Sequence, residues 1–198
     1  MSCTQTLPYG SQPLSHAALQ EWVAATVALT QPDSVFWCDG SEGEKEFLYA
    51  QAVRQGVLTP LNQEKMPGCY YHRSNSNDVA RVEHCTFICT ELAEEAGPTN
   101  NWADPAAMRA KLMGLARGSM KGRTLYVVPY LMGPPGSPLA QVGVELTDSI
   151  YVVLNMRIMT RMGRVAVDHL GASNSFNRGL HCLLDGHPDR RFICHFPE

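Results

Sequence analysis

Apolar and polar positions recur along this chain with two different periods, and the switches between them predict most of its elements. Over residues 16–29, Ala18, Trp22, Ala25 and Leu29 follow one another at spacings of three and four, the period of one helix face. Ser15 stands where an N-cap would, and Pro32 ends the run. SVFWC at residues 34–38 has the length and the β-branched and aromatic content of a short buried strand. Asp39, Gly40 and Ser41 then turn the chain into a second helix with an acidic first turn, which runs through Arg54 and is closed by Gly56.

Between residues 60 and 77 Asn, Gly, Pro and Ser dominate, which predicts a loop with a short strand at 69–72. Residues 80–90 alternate again. As a strand they would put Cys85, Phe87 and Cys89 on one face, Thr86 and Ile88 on the other, and Arg81 with Glu83 on a shared face at its start. Asp104 followed by Pro105 fits an N-cap and the first helical position, so a helix over 106–117 is expected, stopped at Gly118. Strands are expected at 122–130 and 142–146, joined by the proline-glycine loop MGPPGSP at 132–138. Thr147, Asp148 and Ser149 can cap a helix reaching Met162. The β-branched run IYVVL opposes that reading, but the cap and the length of the apolar pattern favour the helix. On it Met156, Met159 and Met162 would face the core, and Arg157 and Arg161 a solvated side. A last helix is expected over 163–170. Helices alternating with strands, some of them adjacent, predict an α/β fold: a mixed β-sheet flanked by helices, as one domain over residues 1–198.

Composition narrows the partners. A content of 44% hydrophobic residues suffices for a substantial core in 198 residues. A net charge of −3 from 16 basic and 19 acidic residues, without long runs, leaves no electrostatic footprint for nucleic acid or an anionic membrane. No stretch approaches the roughly 18 apolar residues of a spanning helix. The first residues, MSCTQTLPYGSQPLS, lack a basic region followed by an apolar run, so a cytoplasmic location is expected. The 7 cysteines form no CxxC pair and leave one over, which predicts reduced and partly buried thiols rather than a disulfide framework.

Several side chains invite a chemical reading that their spacing does not support. MGPPGSP lacks the pattern GxxxxGK[ST], and its three prolines remove the N–H donors a phosphate cradle requires, so it reads as a structural loop. His181 with Cys182 and Cys194 with His195 carry ligand-type atoms, but neighbours on a strand point to opposite faces and do not converge on one metal. His84 and Cys85 diverge for the same reason and have no third orienting group, which leaves a packed thiol and a surface imidazole. Arg81, from residue type alone, would be a surface arginine paired with Asp78 or Glu83.

Three stretches change that last reading. KGRTLYVVPYLMGPPGSPLAQVGVELTDSIYVVLNMRIMTRMG at 121–163, NDVARVEHCT at 77–86 and AGPTNNW at 96–102 resemble the amino-terminal part of GTP-dependent phosphoenolpyruvate carboxykinase. The likeness runs from about Leu14 to Glu198 and is weakest over 62–75 and 171–191. Where that family commonly reads Ser-Asp-Pro ahead of the arginine motif, this chain has Ser74, Asn75, Ser76 and Asn77.

The resemblance implies an amino-terminal domain of helices around a mixed sheet, and it implies that Arg81 grips the anionic substrate. A guanidinium suits that task, because its planar, permanently charged fork meets a carboxylate or phosphate with two parallel hydrogen bonds. Glu83 occupies the family position that contacts a mobile lid; a carboxylate there could equally position Arg81 through an ion pair. The implied reaction converts oxaloacetate and GTP to phosphoenolpyruvate, GDP and CO2, as in gluconeogenesis or anaplerosis. Two divalent ions, Mn2+ or Mg2+, and GTP serve the full-length enzyme, which is usually monomeric. The family's metal ligands, its Tyr-Gly-Gly-Asn strand, its phosphate loop and its guanine pocket lie beyond the matched third, and neither YGGN nor GKT nor GKS occurs here. This chain alone is therefore expected to hold neither metal nor nucleotide, to bind oxaloacetate or phosphoenolpyruvate weakly, to lack turnover and to need a carboxy-terminal catalytic domain as partner. The alternative is a non-catalytic anion-binding or interaction domain that keeps the same fold.

Overall fold

The computed structural model describes residues 9–74, 82–183 and 187–197. In chain order come α1 (Ala17–Thr30), β1 (Ser34–Trp37), α2 (Glu42–Arg54), β2 (Thr59–Pro60), β3 (Tyr70–Tyr71), a 3₁₀ turn at Glu83–Cys85, β4 (Thr86–Ile88) and β5 (Asn101–Trp102). They are followed by α3 (Pro105–Ala116), β6 (Thr124–Met132), β7 (Gln141–Thr147), α4 (Ile150–Met159), β8 (Arg161–Met162), α5 (Arg164–Leu170), β9 (Asn177–His181) and β10 (Ile193–His195). This is the expected α/β arrangement, with the strands sorted into a five-stranded sheet, a three-stranded sheet and a two-stranded ribbon. No described helix is long and apolar enough to cross a membrane.

β6 organises the large sheet. Its one edge is taken by β7, antiparallel along seven residue pairs from Tyr126 with Thr147 to Met132 with Gln141, and β9 adds in parallel outside β7. Its other edge is shared: β1 pairs in parallel with residues 124–127, and β8 pairs antiparallel with Tyr130 and Leu131. Pro129 stands at the changeover, where its missing N–H interrupts no ladder bond and its carbonyl accepts from Gly163 N at 2.8 Å.

Opposed residues of paired strands point to one face, so the sheet's two sides can be read from its register. Leu125, Val127, Leu131, Val142, Val144 and Leu146 bury one side against α1 and α5. Phe36, Tyr126 and Val128 bury the other against Leu48 and Ala52 of α2 and Val153 and Leu154 of α4. On that second side, past the helices, Tyr130 lies against Gly143 and Glu145 against Gly179, positions where a Cβ would collide with the ring or the carboxylate.

The shared edge brings two backbones into contact. A Cβ on Gly40 would sit 2.1 Å from Met162 O, and one on Gly163 would sit 2.2 Å from Asp39 C. Both glycines have φ near +80 to +90°, at 81° and 91°. Around this crossing every backbone polar group of residues 39–41 is paired. Glu44, fully buried in the first turn of α2, accepts from the N–H groups of Asp39 and Gly40 while its own N–H donates to the Ser41 cap. Arg164 N donates to Asp39 O, and Arg157 Nη2 donates to the carbonyls of Gly40 and Ser41 at 2.9 and 2.7 Å. Arg157 also pairs with Glu44 at 3.5 Å and Glu42 at 3.2 Å, and its side chain is only 11% exposed. It is a clamp between α4 and the β1–α2 turn, not the solvated residue its helical position suggested. Burial raises the Glu44 carboxyl to about 7 against the pull of its two N–H donors.

Other expectations also need correction. His16, not Ser15, caps α1, accepting from Leu19 N while its Nε2 meets Ser173 O at 3.0 Å. The buried stripe of α1 is Leu19, Val23, Thr26 and Thr30, one position from the apolar one, and Ala25 is exposed. The threonine hydroxyls can be buried because they donate to Trp22 O and Thr26 O. α4 ends at Met159, since residues 161–162 are drawn into β8 by the free edge of β6; Met159 is therefore exposed, and Met162 is buried as a strand residue. The strand expected over 80–90 is a 3₁₀ turn followed by three strand residues, and residues 80 and 81 lie outside those described.

Gly163→Ala is expected to cost about 3 kcal/mol, because positive φ and a backbone collision coincide there. Gly56→Ala, with φ 71° and nothing within 4 Å of the added Cβ, should cost only about 1 kcal/mol. Urea denaturation of both variants checks this; equal losses would mean that the crossing exerts no steric constraint.

A second prediction concerns pH. Burial lifts Glu145 from 4.5 to about 7, and among the described residues no donor reaches its carboxylate. A carboxyl whose folded value exceeds its unfolded one stabilises the fold while protonated, so that contribution is complete below pH 4.5 and is lost as pH rises toward 7. Glu145→Gln keeps the shape without the titration. Its melting temperature should fall less than the wild type's across that window, by calorimetry at several pH values, with Glu44 left to supply the remaining slope; parallel curves would refute the assignment.

Candidate functional site

The three-stranded sheet is small and all parallel: β4 in the middle, β10 on one side through Thr86 with Ile193, and β5 on the other through Phe87 with Asn101. Neither β9 nor β10 carries an alternating pattern long enough to be read as a strand. The turn at Glu83–Cys85 enters this sheet, and the motif DVARVE runs into that turn. Arg81 itself lies outside the described residues; Val82 is the first residue after it that is placed.

Val82 is buried, and its carbonyl takes three donors: Cys85 N at 3.0 Å, Cys85 Sγ at 3.4 Å and Thr86 Oγ1 at 2.9 Å. Glu83 is exposed at the head of the turn and is not on a strand face. Its carbonyl accepts from Asn101 Nδ2 at 2.6 Å, and the same amide nitrogen donates to Thr86 O at 3.0 Å. Trp102 Nε1 donates to Thr90 O at 2.9 Å, and Asn100 Nδ2 to Ala96 O at 2.7 Å, so AGPTNNW braces the far end of β4 as well as the turn. Sequence reasoning passed over Asn101. Asparagine is a poor strand former, and its presence in a strand next to Trp102 was the available sign that its side chain is used.

Behind the turn the thiols are packed, not poised. Cys85 and Cys89 are buried, burial raises Cys89, and Cys194 is pushed up to about 11, chiefly by burial and then by Cys89 beside it. A raised thiol is a poor nucleophile near neutral pH. His84, next to Cys85, is exposed. His181 sits on the large sheet, where its Nδ1 lies 2.8 Å from Thr147 Oγ1, whereas Cys194 and His195 are on the small sheet. Among the described residues no group of three or more His, Cys, Asp or Glu side chains is placed to hold a metal ion. The donor set of those described residues therefore does not fit a divalent cation.

Asp104 caps α3 by accepting from Ala107 N at 2.7 Å, and α3 presents Arg109 over the Phe196 ring and Lys111 over the Phe192 ring at 4.3 and 3.9 Å. Two clefts of about 420 and 480 Å³ lie elsewhere, beside residues 39 and 40, and neither is lined by the turn.

The model of the phosphoenolpyruvate carboxykinase N-terminal domain matches residues 21–198. The phosphoenolpyruvate carboxykinase (GTP) of Anaeromyxobacter sp. (strain K) is 61% identical over 188 residues, which cover 95% of this chain and 32% of that protein. The protein of the same name from Chlamydia trachomatis serovar D is 52% identical over 185 residues, covering 91% and 31%, and that from Corynebacterium efficiens is 48% identical over 200 residues, covering 96% and 33%. The chain thus spans about a third of the length of these curated relatives. With a family match over most of its length and motifs that fall on the braced turn, the β6–β7 pair and the α4 cap, this chain belongs to the phosphoenolpyruvate carboxykinase N-terminal domain family.

Proposed function

We propose that these residues form the substrate-side, amino-terminal domain of a GTP-dependent phosphoenolpyruvate carboxykinase, in which Arg81 grips oxaloacetate or phosphoenolpyruvate. The observation that supports the reading is the position of DVARVE: the motif runs into the turn ahead of the small sheet, where Val82 is buried and its carbonyl takes three donors. The proposed reaction takes oxaloacetate and GTP to phosphoenolpyruvate, GDP and CO2. Decarboxylation leaves an enolate, whose oxygen accepts the γ-phosphoryl group. Both steps gather negative charge and need no protein nucleophile, which agrees with buried, protonated thiols around the turn.

Within that scheme Arg81 orients the substrate and offsets its charge, and Glu83, exposed on the adjoining turn, is free to meet a closing lid. GTP and the Mn2+ or Mg2+ ions belong to the part of the enzyme represented by the other two thirds of the relatives' length, which is also the partner this domain needs for turnover. The location proposed is the cytoplasm, and nucleic acid and membrane are not partners.

Titrating phosphoenolpyruvate into the chain by calorimetry tests the role of Arg81. Arg81→Ala should weaken binding at least tenfold, the scale of a lost charge-assisted hydrogen bond. Arg81→Lys should recover only part of it, because a point charge cannot make the paired bonds of a guanidinium. Equal affinity for wild type and Arg81→Ala would overturn the reading.

A further inference from the structure

We propose that the cleft between the first turn of α2 and the end of α4 is a binding site for a small polyvalent anion, one that carries phosphate or carboxylate groups. Nothing in it depends on Arg81.

The cleft has a volume of about 420 Å³, and its lining includes Lys45, Arg157 and Arg161 together with Glu42. Three cations thus face one carboxylate among the described lining residues. The N-terminal end of α2 and the C-terminal end of α4 both border the cleft, so the partial charges of the two helix ends oppose each other. The side chains then decide which sign of ligand is attracted.

Glu42 shows how an oxyanion fits. Its carboxylate bridges Lys45 Nζ at 2.8 Å and Arg157 Nη2 at 3.2 Å, one oxygen to each. The Glu42 side chain is 76% exposed, and an ion pair so open to water is held by little free energy, so a ligand of higher charge can displace it or bind beside it.

The two arginines also have donor capacity that the fold does not use. Arg157 Nη2, with two protons, meets three acceptors: the carbonyls of Gly40 and Ser41 and Glu42 Oε1. Its Nη1 is buried and makes no hydrogen bond among the described residues, although Glu44 Oε1 stands 3.5 Å away as an ion-pair partner. Glu44, raised to about 7 by burial, offsets that charge only in part near neutral pH. Arg161 makes one hydrogen bond, from Nη1 to Gly133 O at 3.0 Å, and its side chain is otherwise open to solvent. A guanidinium with N–H groups to spare and an ammonium across the cleft are the donors that a phosphate or a di- or tricarboxylate takes up.

Calorimetric titration and amide chemical shifts, with inorganic phosphate and citrate as probes, test the site. At least one probe should saturate with a dissociation constant of about 1 mM or tighter, moving the amides of Lys45 and Thr160, and which probe it is tells the group preferred. Arg157 is left intact because it clamps the crossing. Lys45→Ala and Arg161→Ala should each weaken binding about fivefold, the scale of one net hydrogen bond. Glu42→Gln should strengthen it about threefold by removing the resident competitor. Glu46→Gln, the same change of charge at an exposed α2 position outside the cleft, should leave affinity as it is. Melting temperatures within about 3 °C of the wild type are expected for all four surface substitutions.

Saturation by neither probe up to about 10 mM would overturn the proposal. So would equal gains in Glu42→Gln and Glu46→Gln, which would reveal attraction by net charge alone, or an affinity unmoved by both Lys45→Ala and Arg161→Ala. Shifts that gather at Arg109 and Lys111 of α3 instead would put the anion on another surface and overturn it equally.

Discussion

The large sheet closes through one backbone crossing, where Asp39 and Gly40 pass against Met162 and Gly163. β6 has a single edge to offer to β1 and β8, and the two can occupy it in succession only if the chain leaving β1 slips under the chain leaving β8. No side chain fits between them, so glycine is required on both strands. The contact takes the peptide groups of residues 39–41 out of the strand ladder, and side chains supply partners for them. Glu44 and Arg157 do so, the first as acceptor and the second as donor, and because one stands on α2 and the other on α4, satisfying the crossing also docks both helices on the same sheet face. A salt bridge alone would not explain this arrangement, since a buried pair recovers little beyond its own desolvation. The backbone groups it satisfies are the reason for it.

The candidate site sits farther from this centre than its motifs suggest. Neither of the two apolar clusters that flank the large sheet contains a residue of β4, β5 or β10. The small sheet reaches the rest through α3, whose Arg109 and Lys111 stack on Phe196 and Phe192 and whose C-terminal end meets α1 through Gly118 N and Leu29 O. Exposed cation–π contacts contribute about 0.5–1 kcal/mol each, far less than a buried apolar layer. Elements held this way belong to the less stable end of a molecule, where ligand-gripping segments are usually found. There the hydrogen-bond brace adds to the packing of the buried Val82, Cys85 and Cys89.

How much of this was legible depended on whether an element is specified locally. Ser41, Asp104 with Pro105, and Ser149 mark helix starts through bonds made within three residues, and those starts stand where sequence puts them. The long strands β6 and β7 are apolar enough to be unmistakable. Elements that exist because of a distant partner were hidden. β8 is two residues torn from a helical pattern by an open strand edge, and β10 is three residues whose only strand-like quality is their pairing with β4. Arg157 looked solvated because helical periodicity counts faces and does not reveal a loop packed over one of them. At the site, Arg81 was legible through a resemblance and not through its own chemistry, which fits any surface arginine, and Asn101 was legible through neither.

The contrast between the two acceptor systems suggests how such a domain divides its tasks. Around the crossing, ionised or ionisable groups meet backbone amides in a buried place, and the outcome shifts with pH because burial has moved Glu44 toward 7. Around the turn the bonds are neutral: an amide, a hydroxyl and a thiol hydrogen donating to carbonyls. A neutral brace keeps its geometry whatever charge arrives beside it, whereas a charged one would be pulled by an incoming carboxylate or phosphate. The turn at Glu83–Cys85 is thus held without any charged group among the bonds that fix it. Fixing the donors before the charge develops is also the condition under which electrostatic stabilisation costs no reorganisation at the moment of reaction.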